Sequence, residues 1–166
     1  MVTIGSFDGL HRGHQDIIKT LTTIAAAKGS KAAVITFDPH PRHILDKMNK
    51  LSLLMSLDKK QALLERMGVD VLLVIPFTEE FSHITAEGFM DDIIMKHFQP
   101  AEIVIGYDHH FGHNRKGTPK FLKDYAETRD VKLDIINPVA DDKVILSSTH
   151  IRDLIDKGFV LSLIHI

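Results

Sequence analysis

The 166-residue sequence has no cysteine. That excludes a disulfide scaffold, thiolate metal sites and thiol catalysis, and it fits a cytoplasmic setting. No apolar run approaches the roughly 20 residues of a membrane-spanning helix, so no membrane partner is expected. No basic segment followed by a long apolar core marks a secretory signal. Neither sign of charge is in excess: 20 Lys and Arg face 22 Asp and Glu, a formal net charge of −2. Nothing in that balance draws the chain to nucleic acid. Three well-known site motifs are also missing. Without G-x-x-x-x-G-K-S/T it is not a P-loop enzyme, and without G-x-G-x-x-G it is not a standard dinucleotide fold. Without G-x-S-x-G it does not read as an α/β-hydrolase. Internal repeats and low-complexity stretches are absent as well.

What is present begins at the first residue. Val2, Thr3 and Ile4 read as the end of a buried strand. Gly5 and Gly9 bracket a turn at Ser6, Phe7 and Asp8. His11, Gly13 and His14 then open a helical run. A helix N-terminus offers free N–H groups and the positive end of the helix dipole, which suits anions. Residues three apart share a helix face, so both imidazoles can meet one ligand. Gly13 removes a side chain between them and lets a phosphate approach. The stretch predicts a nucleotide triphosphate site. The chain holds eleven histidines, so H-x-x-H spacing alone says little; the strand, the glycines and the helix around this pair give it weight.

The rest alternates short apolar runs with amphipathic stretches. A helix is expected from about Gly13 to Lys28, with Ile17, Leu21, Ile24 and Ala25 inward and Ile18 beside them. Lys31 to Phe37 predicts a buried parallel strand. Asp38-Pro39-His40-Pro41 predicts a stiff extended loop at its carboxyl end. A short helical turn over residues 42–45, a loop or strand over 51–55 and a helix from Ser56 to Met67 follow. Val69 to Ile75 is the third strand. Residues 77–85 read as a loop, and Thr85 caps a helix from Ala86 to Phe98. A fourth strand spans 101–105. The polar loop GYDHHFGHNRKG at 106–117 precedes a helix started by Thr118-Pro119. Val131 to Ile136 is the fifth strand and Lys143 to Leu146 a short sixth. Ser147-Ser148-Thr149 caps a last helix that ends near Lys157.

This alternation predicts an α/β fold, a mostly parallel sheet with helices on both faces. Such a sheet brings the 5–14 turn, the PHP loop, the 106–117 loop and the SSTHIR helix start to one edge. Four polar stretches at one crevice make a better active site than any one alone. A zinc site from His11, His14, Asp38, His40 or the 109–113 cluster is possible by ligand type. It leaves the glycine-rich turn and SSTHIR unused.

GSFDGLHRGH followed far downstream by SSTHIR resembles the nucleotidylyltransferase superfamily, with its H-x-G-H and STxxR-type signatures. TFDPHP at 36–41 and GYDHHFGHNRKG at 106–117 narrow the likeness. The chain resembles the FMN adenylyltransferase (FAD synthetase) domain of the bacterial bifunctional riboflavin kinase/FMN adenylyltransferase family. The likeness implies a Rossmann-like nucleotidylyltransferase fold over residues 1–158, with a truncated start. It leaves 159–166 as a tail of uncertain status and implies that the riboflavin kinase domain normally fused to it is missing here. It implies transfer of the adenylyl group of ATP to FMN, giving FAD and pyrophosphate with Mg2+. His11, His14 and Arg152 would be catalytic. Gly5, Ser6, Phe7, Asp8, Gly9, Gly13, Ser148 and Thr149 would bind ATP. Pro39, Pro41, Asp108 and Phe111 would hold the flavin, Asp108 standing where some members carry Asn. No protein metal ligand is implied. Two alternatives remain: another nucleotidylyltransferase, cytidylyl or pantetheine-phosphate adenylyl, or a nucleotide- or flavin-binding fragment without turnover.

Overall fold

The computed structural model describes residues 1–46, 48, 51–137, 140–141 and 144–159. The expected tail at 160–166 lies outside them. Five strands form one sheet: β1 (Val2–Ile4), β2 (Ala33–Asp38), β3 (Val71–Pro76), β4 (Glu102–Gly106) and β5 (Lys132–Ile136). All their pairings are parallel, in the order β3-β2-β1-β4-β5. The first half of the chain builds outward from β1 on one side and the second half on the other. The order therefore reverses between β1 and β4, the place where open α/β sheets bind ligands.

The strands alternate their side chains between two apolar layers, as the pleat requires. Val2, Ile4, Ile35, Ile103 and Ile105 pack against Met90, Ile94, Leu122 and Tyr125. Val34 and Val104 face the other layer, with Ile18, Leu21 and Leu64. That second layer is carried by α1 (Arg12–Ala27) and α3 (Leu57–Arg66), with the short α2 (Pro41–Leu45) before α3. The first layer is carried by α6 (Pro119–Thr128) and by a helix that begins as α5 (Ala86–Gly88) after the four-residue α4 (Glu79–Ser82). Helices thus cover both faces of a Rossmann-type sheet, as expected. The last helix, α7 (Ser148–Asp156), follows a small antiparallel pair, β6 (Ala140–Asp141) and β7 (Val144–Ile145).

Local differences from the sequence expectations have physical reasons. The buried stripe of α1 is Ile18, Leu21 and Ala25, with Ile17 and Ile24 at its margins. Helix α1 opens one residue early because His11 takes the capping position. The expected 77–85 loop contains α4, because the Thr78 side chain accepts the Phe81 N–H and caps it. After α5 the backbone widens into a π-helical segment over Phe89–Met95. The expected sixth strand is β7, paired with β6 apart from the main sheet.

The 106–117 loop is built tightly. Phe111 and Gly117 exchange backbone hydrogen bonds at 3.0 and 2.9 Å, and the His113 N–H donates to the Ile84 carbonyl at 2.8 Å. Gly112 has a φ of 69°, and a Cβ there would lie 2.6 Å from the Ala86 backbone nitrogen. Gly29 has a comparable φ of 57° but open space around it. Gly112→Ala is therefore expected to cost about 2–3 kcal/mol of stability, overpacking added to strain. Gly29→Ala should cost only the strain, about 1 kcal/mol. Urea denaturation of both variants measures the difference.

Candidate active site

A cavity of about 1040 Å³ opens at the carboxyl ends of β1 and β4. Its walls come from all four polar stretches expected at this edge: the 5–14 turn, the loop at 40–42, the 106–115 loop and the 147–152 helix start. Gly5, Ser6, Phe7, His11, Gly13, His14, Ser148, Thr149 and Arg152 all line it.

The two histidines share one face of the first turn of α1. Their rings stack with centroids 3.7 Å apart, and the Phe7 ring meets His14 edge-on at 5.3 Å. A Cβ on Gly13 would lie 3.3 Å from the His11 ring, so that position has little room for a side chain. Burial lowers the pKa of His11, against the pull of Asp108 and Asp8. Burial first, then the His11 ring and the Lys60 ammonium, bring His14 down to about 3. Both rings are neutral at physiological pH, and desolvation is the largest cause. A neutral imidazole keeps one N–H donor. The Nδ1 atoms of both rings are buried without a hydrogen-bond partner in the protein.

Asp8 and Gly9 do not line this cavity; they build its floor from behind. The Asp8 carboxylate is 2 % exposed and pairs with the Arg152 guanidinium. It also accepts the Leu54 N–H at 3.0 Å and the Met55 N–H at 3.2 Å. The Asp8 carbonyl accepts the Ser148 hydroxyl at 2.8 Å. A Cβ on Gly9 would press on the Leu54 side chain at 2.9 Å. Arg152 also donates from Nε to the Ser52 carbonyl at 2.7 Å, so it stands fixed and is only 13 % exposed. Ser147, at the cap of α7, accepts the His150 N–H.

The opposite wall is aromatic. Phe37, Phe77, Phe81, Phe89 and Phe111 form a chain of ring contacts with centroids 5.4 to 6.4 Å apart. Pro41 and Asp108 line the cavity as well, whereas Pro39, after a cis peptide bond, does not. Phe111 is 8 % exposed and belongs to the sheet's core. It is more a wall than a free stacking face, because Gly117 and Phe121 close over its ring. Among the described residues no group of three or more His, Asp or Glu side chains is placed to hold a metal ion. The zinc alternative finds no ligand set there.

Sequence reasoning missed Lys60, Phe77, Phe81, His83 and the backbone anchors at 51–55. Lys60 had a signal: it falls between Leu57 and Leu64 on the inner stripe of α3. Its ammonium donates to the Ser6 carbonyl at 2.7 Å and reaches the Thr36 hydroxyl at 3.4 Å. The residues at 51–55 gave none, because backbone groups make most of their contacts.

The buried histidines set an acid limit. His14 is held at about 3, and His40 and His109 at about 4, with burial the largest cause in each. In the unfolded chain all three protonate near 6.5. Below that value the unfolded chain binds protons that the folded one refuses, so stability falls as pH falls. The urea midpoint is expected to drop steadily from pH 7 to pH 4.5, and His14→Gln should reduce that slope. A flat profile in this window would remove the assignment of buried neutral rings.

Comparisons with known proteins agree with this geometry. The family model described as FAD synthetase matches residues 1–150. A bifunctional riboflavin kinase/FMN adenylyltransferase of Listeria monocytogenes is 36% identical over 160 residues, 95% of this chain and 50% of that protein. One of Bacillus subtilis is 34% identical, over 96% of this chain and 50% of that protein. The chain thus spans about half the length of the curated relatives it matches. A crystal structure from Streptococcus pneumoniae, named a macrolide-efflux protein, superposes with a TM-score of 0.81 at 31% identity. It covers 93% of this chain and 51% of that one. Among the described residues here, no helix is long and apolar enough to cross a membrane. The switch-point cavity, the stacked histidines at the start of α1 and the match over residues 1–150 lead to one assignment: the chain belongs to the FAD synthetase family.

Proposed function

We propose that this chain transfers the adenylyl group of ATP to FMN, giving FAD and pyrophosphate. The observation that carries the reading is the two-sided cavity. One side is polar, with two neutral histidines and a fixed arginine at two helix starts. The other is a continuous aromatic wall suited to a flat ring system. A phosphate oxygen of FMN attacks the α-phosphorus of ATP, and the bond to the bridging oxygen breaks. The electron pair leaves with pyrophosphate. Such a transfer needs positioning and charge stabilisation and no protein nucleophile.

In this reading His11 and His14 donate N–H groups to phosphate oxygens as charge grows on the leaving group. Ser148, Thr149 and the N–H groups of the α7 start hold the triphosphate, as does the turn of Gly5, Ser6, Phe7 and Gly13. Asp8 and Gly9 act from behind by holding Arg152 and the turn. Arg152 keeps Nε and Nη2 on the protein and offers its remaining donors to phosphate. Mg2+ would be carried by the phosphates of ATP, where it would offset their negative charge. Dependence on ATP goes with a cytoplasmic setting. On the flavin side, Pro41, Asp108 and the phenylalanines bound the ring. Pro39 contributes stiffness to the loop, and Phe111 supports the wall from the core.

Incubation with ATP, Mg2+ and FMN should produce FAD and pyrophosphate, and CTP should not replace ATP. Riboflavin with ATP should yield no FMN from these 166 residues. His14→Ala should lower turnover roughly 10²-fold or more, the loss typical of a transition-state donor. Arg152→Lys keeps the charge but loses the planar fork, so turnover should fall clearly. Near-normal rates in both variants would remove these two residues from the phosphate site. Phe77→Ala should weaken FMN binding by about 1–3 kcal/mol, the scale of a lost aromatic face, with ATP binding unchanged by calorimetry.

A further inference from the structure

Lys60 stands where the pattern of α3 calls for a leucine. It is 6% exposed, one helical turn before Leu64, on the stripe that faces the sheet. Among the described residues its ammonium donates to neutral acceptors, the Ser6 carbonyl at 2.7 Å and the Thr36 hydroxyl at 3.4 Å, while the nearby carboxylates of Asp8 and Asp38 favour its charged form against burial. The Thr36 hydroxyl itself donates to the Ser6 carbonyl at 3.2 Å. A small cavity of about 20 Å³ beside it is lined by Asp8, Asp38 and His40 as well as Lys60. That is room for about one water. No salt bridge to Lys60 is formed among the described residues. Burying an ammonium on neutral partners costs free energy that an apolar side chain of the same length would not. Ser6, His14 and His40 all line the large cavity, so the charge lies directly behind its polar wall.

We propose that Lys60 is a positioning residue of the nucleotide site, whose buried ammonium pins the Ser6 carbonyl and supplies fixed positive charge behind the His14 wall. The inference rests on reading the cavity as a nucleotide site. By holding the Ser6 carbonyl inward, Lys60 fixes the turn in which Phe7 and Leu10 adopt positive φ values of 47° and 41°. Such conformations persist only where surrounding contacts enforce them. Its charge acts through a medium less screening than water, so it favours ligands in proportion to their negative charge. Burial is the main reason that His14 and His40 resist protonation, and the same ammonium adds to it.

The test uses the full chain and three variants, Lys60→Met, Lys60→Gln and Lys60→Arg. Urea denaturation gives stability, and calorimetry gives the affinities for ATP and for adenosine. Lys60→Met should be at least as stable as the wild type, yet bind ATP at least tenfold more weakly with adenosine changed less than twofold. Lys60→Arg should recover much of the ATP affinity. The His14 ring signal in NMR should titrate at higher pH in Lys60→Met. Equal loss of ATP and adenosine affinity, or unchanged ATP affinity, overturns the proposal. Failure of both Lys60→Met and Lys60→Gln to fold also overturns it, because Lys60 would then be structural. FAD formation is assayed separately. A wild-type chain that binds ATP but makes no FAD refutes the proposed reaction, while the ATP and adenosine pair still decides the role of Lys60.

Discussion

The carboxylate of Asp8 is the contact on which the site depends. It joins two backbone N–H groups that lie 46 and 47 residues away and a guanidinium 144 residues away. The carbonyl of the same residue takes the hydroxyl at the start of α7. Three stretches that the sheet topology brings only near one another are thereby fixed in register. A buried carboxylate is tolerable because several donors and a cation satisfy it at once. Removing it would leave the largely buried arginine charge without its counter-ion, which is worse than never having had the pair. The polar wall is thus a single connected unit, and its parts stand or fall together.

That unit sits on an unremarkable scaffold. Parallel strands with two apolar faces need helices on both sides, and the alternating runs of valine and isoleucine supply both layers. The reversal of strand order between β1 and β4 then leaves a crevice by topology alone. Chemistry is added mainly in the connections. The histidine pair starts one helix, the arginine follows the start of another, and the phenylalanines come from β2, the β3 connection, the helix that begins as α5 and the 106–117 loop.

Much of this was legible in the sequence. All five strands, the caps at Thr85, Thr118 and Ser147, and the grouping of the polar stretches followed from period, punctuation and turn chemistry. His11, His14 and Arg152 stood out by their spacing at helix starts, and all three line the cavity. What stayed hidden was relational. Asp8 read as a ligand to nucleotide, whereas its carboxylate points away from the cavity and holds Arg152, since sequence does not tell which way a turn side chain points. Phe111 read as a stacking face; it lines the cavity and is at the same time packed into the core, which its closing partner Gly117, a loop away, does not announce in the sequence. Lys60 broke the apolar stripe of α3, and such a break signals a buried charge with a task. The π-helical widening at Phe89–Met95 has no sequence marker that we can identify.

The segment at 51–55 has a different kind of consequence. It is held through its backbone: the Leu51 carbonyl on the His43 ring at 2.8 Å, the Ser52 carbonyl on Arg152, and the Leu54 and Met55 N–H groups on Asp8. Every residue type except proline offers the same N–H and C=O. Side chains there are free to drift, apart from Leu54 against Gly9 and Met55 against the second apolar layer, while the number of residues is not. A single insertion would shift every anchor by one residue and uncouple Arg152 from its seat. Among diverging copies of such a protein, this stretch would lose its letters long before it lost its length.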